Sequence, residues 1–177
     1  MPAALMAAKI QGILSAQTLG DLPLPGMIAN INRILTERRI ECSFATFFFG
    51  ILDSEGSCTY TNAGHIPPVV VRRDGSMSEM TLGGTVLGLF TGIEYESETV
   101  QVSPGDHLVL FTDGVLEAEN AAGEQYGMER ILSILKKCAT SSAAEMLARL
   151  NQDLNSFSSD APQHDDITIM VLGFKES

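Results

Sequence analysis

Positive charge is scarce in this sequence: Lys and Arg number 11 against 22 Asp and Glu, a formal net charge of −11. Such a surface repels nucleic acid and anionic lipid, so neither nucleic acid nor a membrane is expected as a partner. It also repels phosphorylated substrates unless a cation intervenes. Cysteine is scarce too. Cys42, Cys58 and Cys138 form an odd, scattered set with no disulfide framework and no Cys-x-x-Cys metal pair. They are expected as buried thiols in a reducing cytosol. Long apolar runs are missing. The opening "MPAALMAAKIQGILSA" has no basic leading region and is broken by Lys9, unlike a signal peptide. "FATFFFGIL" is too short to span a bilayer. No internal repeat or low-complexity segment is present. These absences make a cytoplasmic protein the expectation.

What is there suits one folded domain over residues 1–177, because the length fits one domain and the hydrophobic share, 45%, can build a core without metal or disulfide staples. Residues 3–16 are predicted helical, with Leu5, Ile10 and Leu14 set among alanines. "GDLPLPG" is a breaker cluster. A second helix is predicted over 26–39, on the spacing of Met27, Ile28, Ile31, Ile34 and Leu35. Arg38 and Arg39 in its last turn suit the helix dipole. "SFATFFFGILD" and "SCTYTNAG" then read as a hairpin about "SEG", and "PPVVVRRDGSMSEMTL" as a second about Asp74-Gly75. "EYESETVQV" alternates like a half-exposed strand. "HLVLFT" reads as a fully buried strand. Helices over 128–138 and 142–157 follow, then the loop "DAPQHDD" and a buried strand, "ITIMVLGF". Strands cluster and helices cluster, which argues for the α+β class. The doubly apolar runs predict a sheet covered on both faces.

Two strand ends carry the chemistry. Asp113 follows "HLVLFT", and Asp165-Asp166 precede "ITIMVLGF". If these strands are antiparallel neighbours, the carboxylates meet at one rim of the sheet. Carboxylates gathered there repel, and their pKa values rise unless a cation joins them. Oxygen ligands without Cys or His suit a hard ion, Mg2+ or Mn2+. His65 and His164 are further candidates for ligation or proton transfer. Glu117 and Glu119 read as solvated or capping carboxylates. Taken alone, "TDG" is most often only a turn and "HDDIT" a solvated loop.

The pieces recur together. "MPAALMAA", "FATFFFGILD", "YTNAGHIPPVVV", "GGTVLGLF", "VSPGDHLVLFTDGVLEAENAAGEQYGMERI" and "HDDITIMVL" stand in order along nearly the whole chain. In this it resembles the PPM-type serine/threonine phosphatases of bacteria, in the SpoIIE/RsbU branch. The resemblance implies a β-sandwich of two antiparallel sheets flanked by helices, in the order α-β-β-α. It implies that Asp113 and Asp165 are catalytic metal-binding aspartates, with Asp166 a further metal ligand ranked behind them. Asn62, Gly64 and His65 of "NAGH" are expected near the site. Gly88 and Gly105 are expected to shape the backbone.

One departure follows from the same resemblance. Relatives precede "PAAL" with strands ending in an Asp-x-x-Gly-His-Gly-like segment, whose aspartate bridges two Mn2+ or Mg2+ ions. The sequence opens at Met1-Pro2, so an N-terminally truncated domain lacking its first strands is expected. The remaining carboxylates would then hold one ion weakly or none, and this chain alone would be inactive or nearly so. A shortened sheet exposes strand edges and an apolar face, which invites a homodimer or strand exchange. The parent protein is expected to carry an N-terminal sensor or receiver domain. Its substrate is expected to be a phosphorylated regulatory protein of the anti-sigma-factor-antagonist type. The alternative is a non-catalytic PPM-fold module that only binds partners.

Overall fold

The alanine-rich opening does form a helix, α1 (Ala3–Ala16), in a computed structural model that describes residues 3–17, 22–37, 44–159 and 161–175. In chain order there follow α2 (Leu24–Glu37), β1 (Phe47–Leu52), β2 (Ser57–Ala63), β3 (Val69–Val71), β4 (Met77–Glu79), β5 (Gly83–Gly84), β6 (Glu98–Gln101), β7 (His107–Phe111), α3 (Asp113–Leu116), α4 (Met128–Lys137), α5 (Ala143–Phe157) and β8 (Ile169–Gly173). Gly20, Asp21, Arg38, Arg39, Cys42 and Asp160 lie outside the described residues. Among those described, no helix is long and apolar enough to cross a membrane. The chain folds as two compact units, Met1–His65 with Thr81–Val100, and Ile66–Met80 with Gln101–Ser177.

In the first unit, α2 starts inside the breaker cluster rather than after it: Leu24 and Pro25 are its first residues. Proline costs nothing in a first helical turn, whose N–H groups have no intrahelical acceptor. The apolar face of α2, including Met27, Ile28, Ile31 and Leu35, is buried. Ile28, Ile31 and Leu35 share a core with Met6 and Ile10 of α1 and Ala63 of β2. The first hairpin forms as expected, pairing Phe47 with Ala63 and Leu52 with Cys58. Its turn is closed by Asp53, whose Oδ1 accepts from the amides of Glu55 and Ser57, both at 2.9 Å. One pairing departs from a purely antiparallel sheet: β5 runs parallel to β2. A Cβ on Gly83 would fall 2.0 Å from the Asn62 carbonyl oxygen, so only glycine permits that approach. Of "EYESETVQV", only Glu98–Gln101 becomes strand, β6, which pairs with β2.

The second unit contains the sheet β4-β3-β7-β8, antiparallel throughout. Its second hairpin closes at Asp74, whose Oδ1 accepts from the Ser76 amide at 2.8 Å. Val69 and Val71 of β3 and Val109 and Phe111 of β7 pack on Ile131 and Leu135 of α4 and Met146, Leu150 and Leu154 of α5. Helix α5 begins with a capping box: Ser142 accepts from the Glu145 amide, and the Glu145 carboxylate accepts from the Ser142 amide. β7 is as buried as its run of apolar residues predicts. β8 is not. Ile169 and Val171 face the helices, but Met170 and Leu172 are 50% and 43% exposed. The reason is position: among the described residues β8 pairs only with β7 and forms the edge of this sheet.

Candidate metal centre

The end of β7 is fixed from both directions. Behind it, Val109 and Phe111 are locked in the core. Ahead of it, Val115 is 1% exposed and anchors the single helical turn α3. Asp113 stands between these anchors at the surface, exposed. The strand-to-helix switch occurs at Thr112, whose backbone is extended, with φ −88° and ψ 164°. The Asp-Gly pair that reads as a turn is therefore the start of a helical turn, which the Glu117 amide closes onto the Asp113 carbonyl at 2.9 Å.

Asp165 and Asp166 lie directly alongside. Past the last ladder pair, Phe111 with Ile169, the Thr112 amide donates to the Thr168 carbonyl at 3.1 Å. The Thr112 hydroxyl donates to the Asp166 carbonyl at 3.0 Å and accepts from the Thr168 amide at 3.0 Å. Gly114 is buried against the same segment. A Cβ there would lie 2.5 Å from the Asp166 carbonyl oxygen and 3.5 Å from the Asp165 carbonyl carbon. Glycine is thus required at 114 for close approach between two backbones. At Gly88 and Gly105 it serves instead for positive φ, 84° and 91°.

The three carboxylates are exposed, and none forms an ion pair among the described residues. Asp113 Oδ1 accepts from the neighbouring Gly114 amide at 3.1 Å, and Asp165 Oδ1 from the Asp166 amide at 2.7 Å. The Asp165 carbonyl accepts from Gln163 Nε2 at 2.8 Å, which steadies the loop. A cavity of about 190 Å³ opens beside Asp165, lined in part by Gly114, Glu117, Glu119, Asn155, His164 and Asp165. Asp113 is not part of its lining. Its α5 wall is held by Tyr126, whose hydroxyl donates to Asp153 at 2.8 Å, and by Arg130, stacked 4.5 Å over the Phe157 ring.

Exposed, unpaired, all-oxygen donors suit a hard divalent cation. Their number is small: among the described residues, no group of three or more His, Cys, Asp or Glu is arranged to hold a metal ion. The described donors do not form a closed cage.

The other sequence-marked residues fall as follows. Asn62, Gly64 and His65 belong to the first unit, where they close a turn after β2. Asn62 is 3% exposed; its Oδ1 accepts from the His65 amide at 2.8 Å, and its Nδ2 donates to the His65 carbonyl at 3.0 Å. His65 Nδ1 lies 3.3 Å from Thr46 Oγ1. His164 is exposed beside Asp165. Glu117 caps the end of α3 and Glu119 is half-buried.

Two features escape the sequence pattern. Thr112 reads only as the last residue of the apolar strand "HLVLFT". Asp106 reads as part of the turn "SPGD", yet it is 4% exposed. It accepts from Arg72 at 2.9 Å and from the amides of Ser103 and Arg73 at 3.0 and 3.1 Å. Burial pushes its pKa up, but the guanidinium and the two N–H groups outweigh burial and hold it below the ordinary carboxylate value.

Comparison with known proteins agrees with this architecture. The family model described as Stage II sporulation protein E (SpoIIE) matches residues 1–175. Protein IcfG of Synechocystis sp. is 31% identical over 140 residues, which are 78% of this chain and 22% of that protein. Phosphoserine phosphatase RsbU of Bacillus subtilis is 27% identical over 176 residues, 97% of this chain and 51% of that protein. The chain thus spans about half, or less, of the length of these curated relatives. The SiaA-PP2C domain of Pseudomonas aeruginosa has the same fold, with a TM-score of 0.79 at 19% identity over 97% of this chain and 68% of that one. With the family model covering nearly every residue, the chain belongs to the SpoIIE family, in the SpoIIE/RsbU branch of the PPM-type phosphatases.

Proposed function

We propose that residues 1–177 act as one metal-dependent phosphatase domain that removes phosphate from serine or threonine of a regulatory phosphoprotein in bacterial signalling. The observation that supports this reading is the backbone contact between the Asp113 turn and the Asp165-Asp166 segment, which brings the two aspartate-bearing stretches together at one sheet end. The name of the relative RsbU, a phosphoserine phosphatase, supports the reaction class. Asp113 and Asp165 hold Mn2+ or Mg2+, and Asp166 assists. When bound, such an ion neutralises phosphate charge and acidifies a water for attack on phosphorus.

The chain's own residues do the rest. The buried residues on either side of Asp113 fix the backbone that carries its carboxylate. The bare acidic rim excludes a phosphate dianion unless a cation is present, which makes turnover metal-dependent. The neighbouring cavity, with polar Asn155 and Glu117 in its wall, receives the peptide that flanks the phosphorylated residue. Because the described residues offer so few donors, the ion is held weakly and turnover by this chain alone is low.

The test is release of phosphate from a phosphoserine protein with Mn2+, by this chain and by a version lengthened with the Asp-x-x-Gly-His-Gly-like segment of the family. Turnover is expected mainly in the lengthened form and lost in Asp113→Asn. Turnover that survives Asp113→Asn contradicts the reading. The same scarcity of donors favours one rival, a non-catalytic module that binds partners; a lengthened form that takes up no Mn2+ supports the rival.

A further inference from the structure

The hydroxyl of Thr112 is used in an unusual way. Thr112 occupies the N-cap of α3, where a threonine normally accepts a hydrogen bond from an amide of its own helix. No such bond is made. The hydroxyl turns to the opposite strand, donating to the Asp166 carbonyl and accepting from the Thr168 amide, each at 3.0 Å. These two groups stand where the β7–β8 ladder stops, because β7 is leaving its strand to enter α3. One side-chain atom thus takes over from the backbone ladder at the point where the strands would part.

That point separates like charges. Asp113 is the next residue on one side, and Asp165 and Asp166 lie on the other. Like charges repel at short range, so the spacing of these segments matters. The contact of Gly114 with the Asp166 carbonyl sets the near limit of approach. The hydroxyl bonds set the far limit.

We propose that Thr112 is a positioning residue: its hydroxyl fixes the spacing of Asp113 from Asp165-Asp166, and thereby their affinity for a divalent cation. This rests on the metal-site reading above. Groups that orient metal ligands without touching the ion typically change affinity 10- to 100-fold when removed. Valine keeps the β-branched shape that suits an extended backbone but removes both bonds. Serine keeps both bonds and drops only the methyl group.

The test is Mn2+ titration of the full chain, read by paramagnetic broadening of the amide NMR signals at 112–115 and 165–168. Parent, Thr112→Ser, Thr112→Val and Asp113→Asn are compared, with urea unfolding of each. The parent and Thr112→Ser are expected to bind alike, Thr112→Val about tenfold more weakly, and Asp113→Asn not detectably. Equal binding by the parent and Thr112→Val, with loss in Asp113→Asn, overturns the positioning role and leaves the metal site standing. A parent that shows no Mn2+-dependent broadening overturns both. If Thr112→Val does not fold, Thr112→Ala against Thr112→Ser decides: about tenfold weaker binding by the alanine variant supports the role, and equal binding overturns it.

Discussion

β7 has an aspartate just outside each of its ends, and the two are treated in opposite ways. Asp106, before the strand, is buried and surrounded by donors: the Arg72 guanidinium and the amides of Ser103 and Arg73. Arg72 also donates to the Gln101 carbonyl, so the cation is itself held. Asp113, after the strand, is exposed, and among the described residues its one donor is the adjacent Gly114 amide. Where the fold needs a carboxylate for its own structure, it supplies the counter-charge. Where the Asp113 turn meets the Asp165-Asp166 backbone, the described residues supply none, in a chain whose formal charge is already −11.

The contrast is broken most forcefully at the buried end. Asp106→Ala strips Arg72 of its partner in a setting where the Asp106 side chain is 6% exposed. A loss of about 3 kcal/mol in urea unfolding is expected, with Mn2+ binding unchanged under folding conditions. Next in size is Gly114→Ala. The added methyl collides with the Asp166 carbonyl at 2.5 Å, and separation of the segments is expected to cost about 1–3 kcal/mol. Unlike Asp106→Ala, it also weakens Mn2+ binding, measured by calorimetry.

Smaller effects follow from pH. Burial holds His107 below its ordinary 6.5, against the opposing pull of the Asp106 charge and the Ser141 backbone. The folded state therefore binds its proton less readily than the unfolded chain. This stabilisation is complete above pH 6.5 and declines as pH falls from there toward the lower folded value. Asp106 is also depressed, so its contribution holds above its ordinary 3.8 and is lost as pH falls through the folded value. The urea midpoint should drop gently below pH 6.5, then steeply below 4. His107→Gln should flatten only the first drop. Smallest of all is Asp113→Asn, expected to change stability by less than about 0.5 kcal/mol without metal. With Mn2+, the parent's melting temperature should rise and the variant's should not.

Much of this was legible before coordinates, and what was hidden has physical causes. Helix periodicity located α1, α4 and α5 closely, because apolar spacing is local information. Both hairpins announced themselves through "SEG" and Asp74-Gly75. The pairing of β7 with β8, which brings Asp113 to the "HDDIT" segment, followed from two apolar runs and the assumption that they neighbour each other. Long-range facts stayed hidden. That Asp106 meets Arg72 depends on β3 lying beside β7, a contact no local pattern encodes. The exposure of Met170 and Leu172 depends on β8 being an edge strand, which composition does not show. The parallel approach of Gly83 to Asn62 looks in sequence like an ordinary glycine loop. Gly114 looks in "TDG" like an ordinary turn glycine, whereas its lack of a side chain matters for the backbone lying across it.

The most direct measurement is electron paramagnetic resonance counting of free Mn2+ in the presence of this chain, compared with Asp113→Asn, Asp165→Asn and, as a control from a distant turn, Asp74→Asn. Parent and Asp74→Asn should each withdraw one ion per chain at millimolar metal, while Asp113→Asn and Asp165→Asn withdraw none. Equal uptake by all four, or none by the parent, would contradict a shared carboxylate site at the β7–β8 rim.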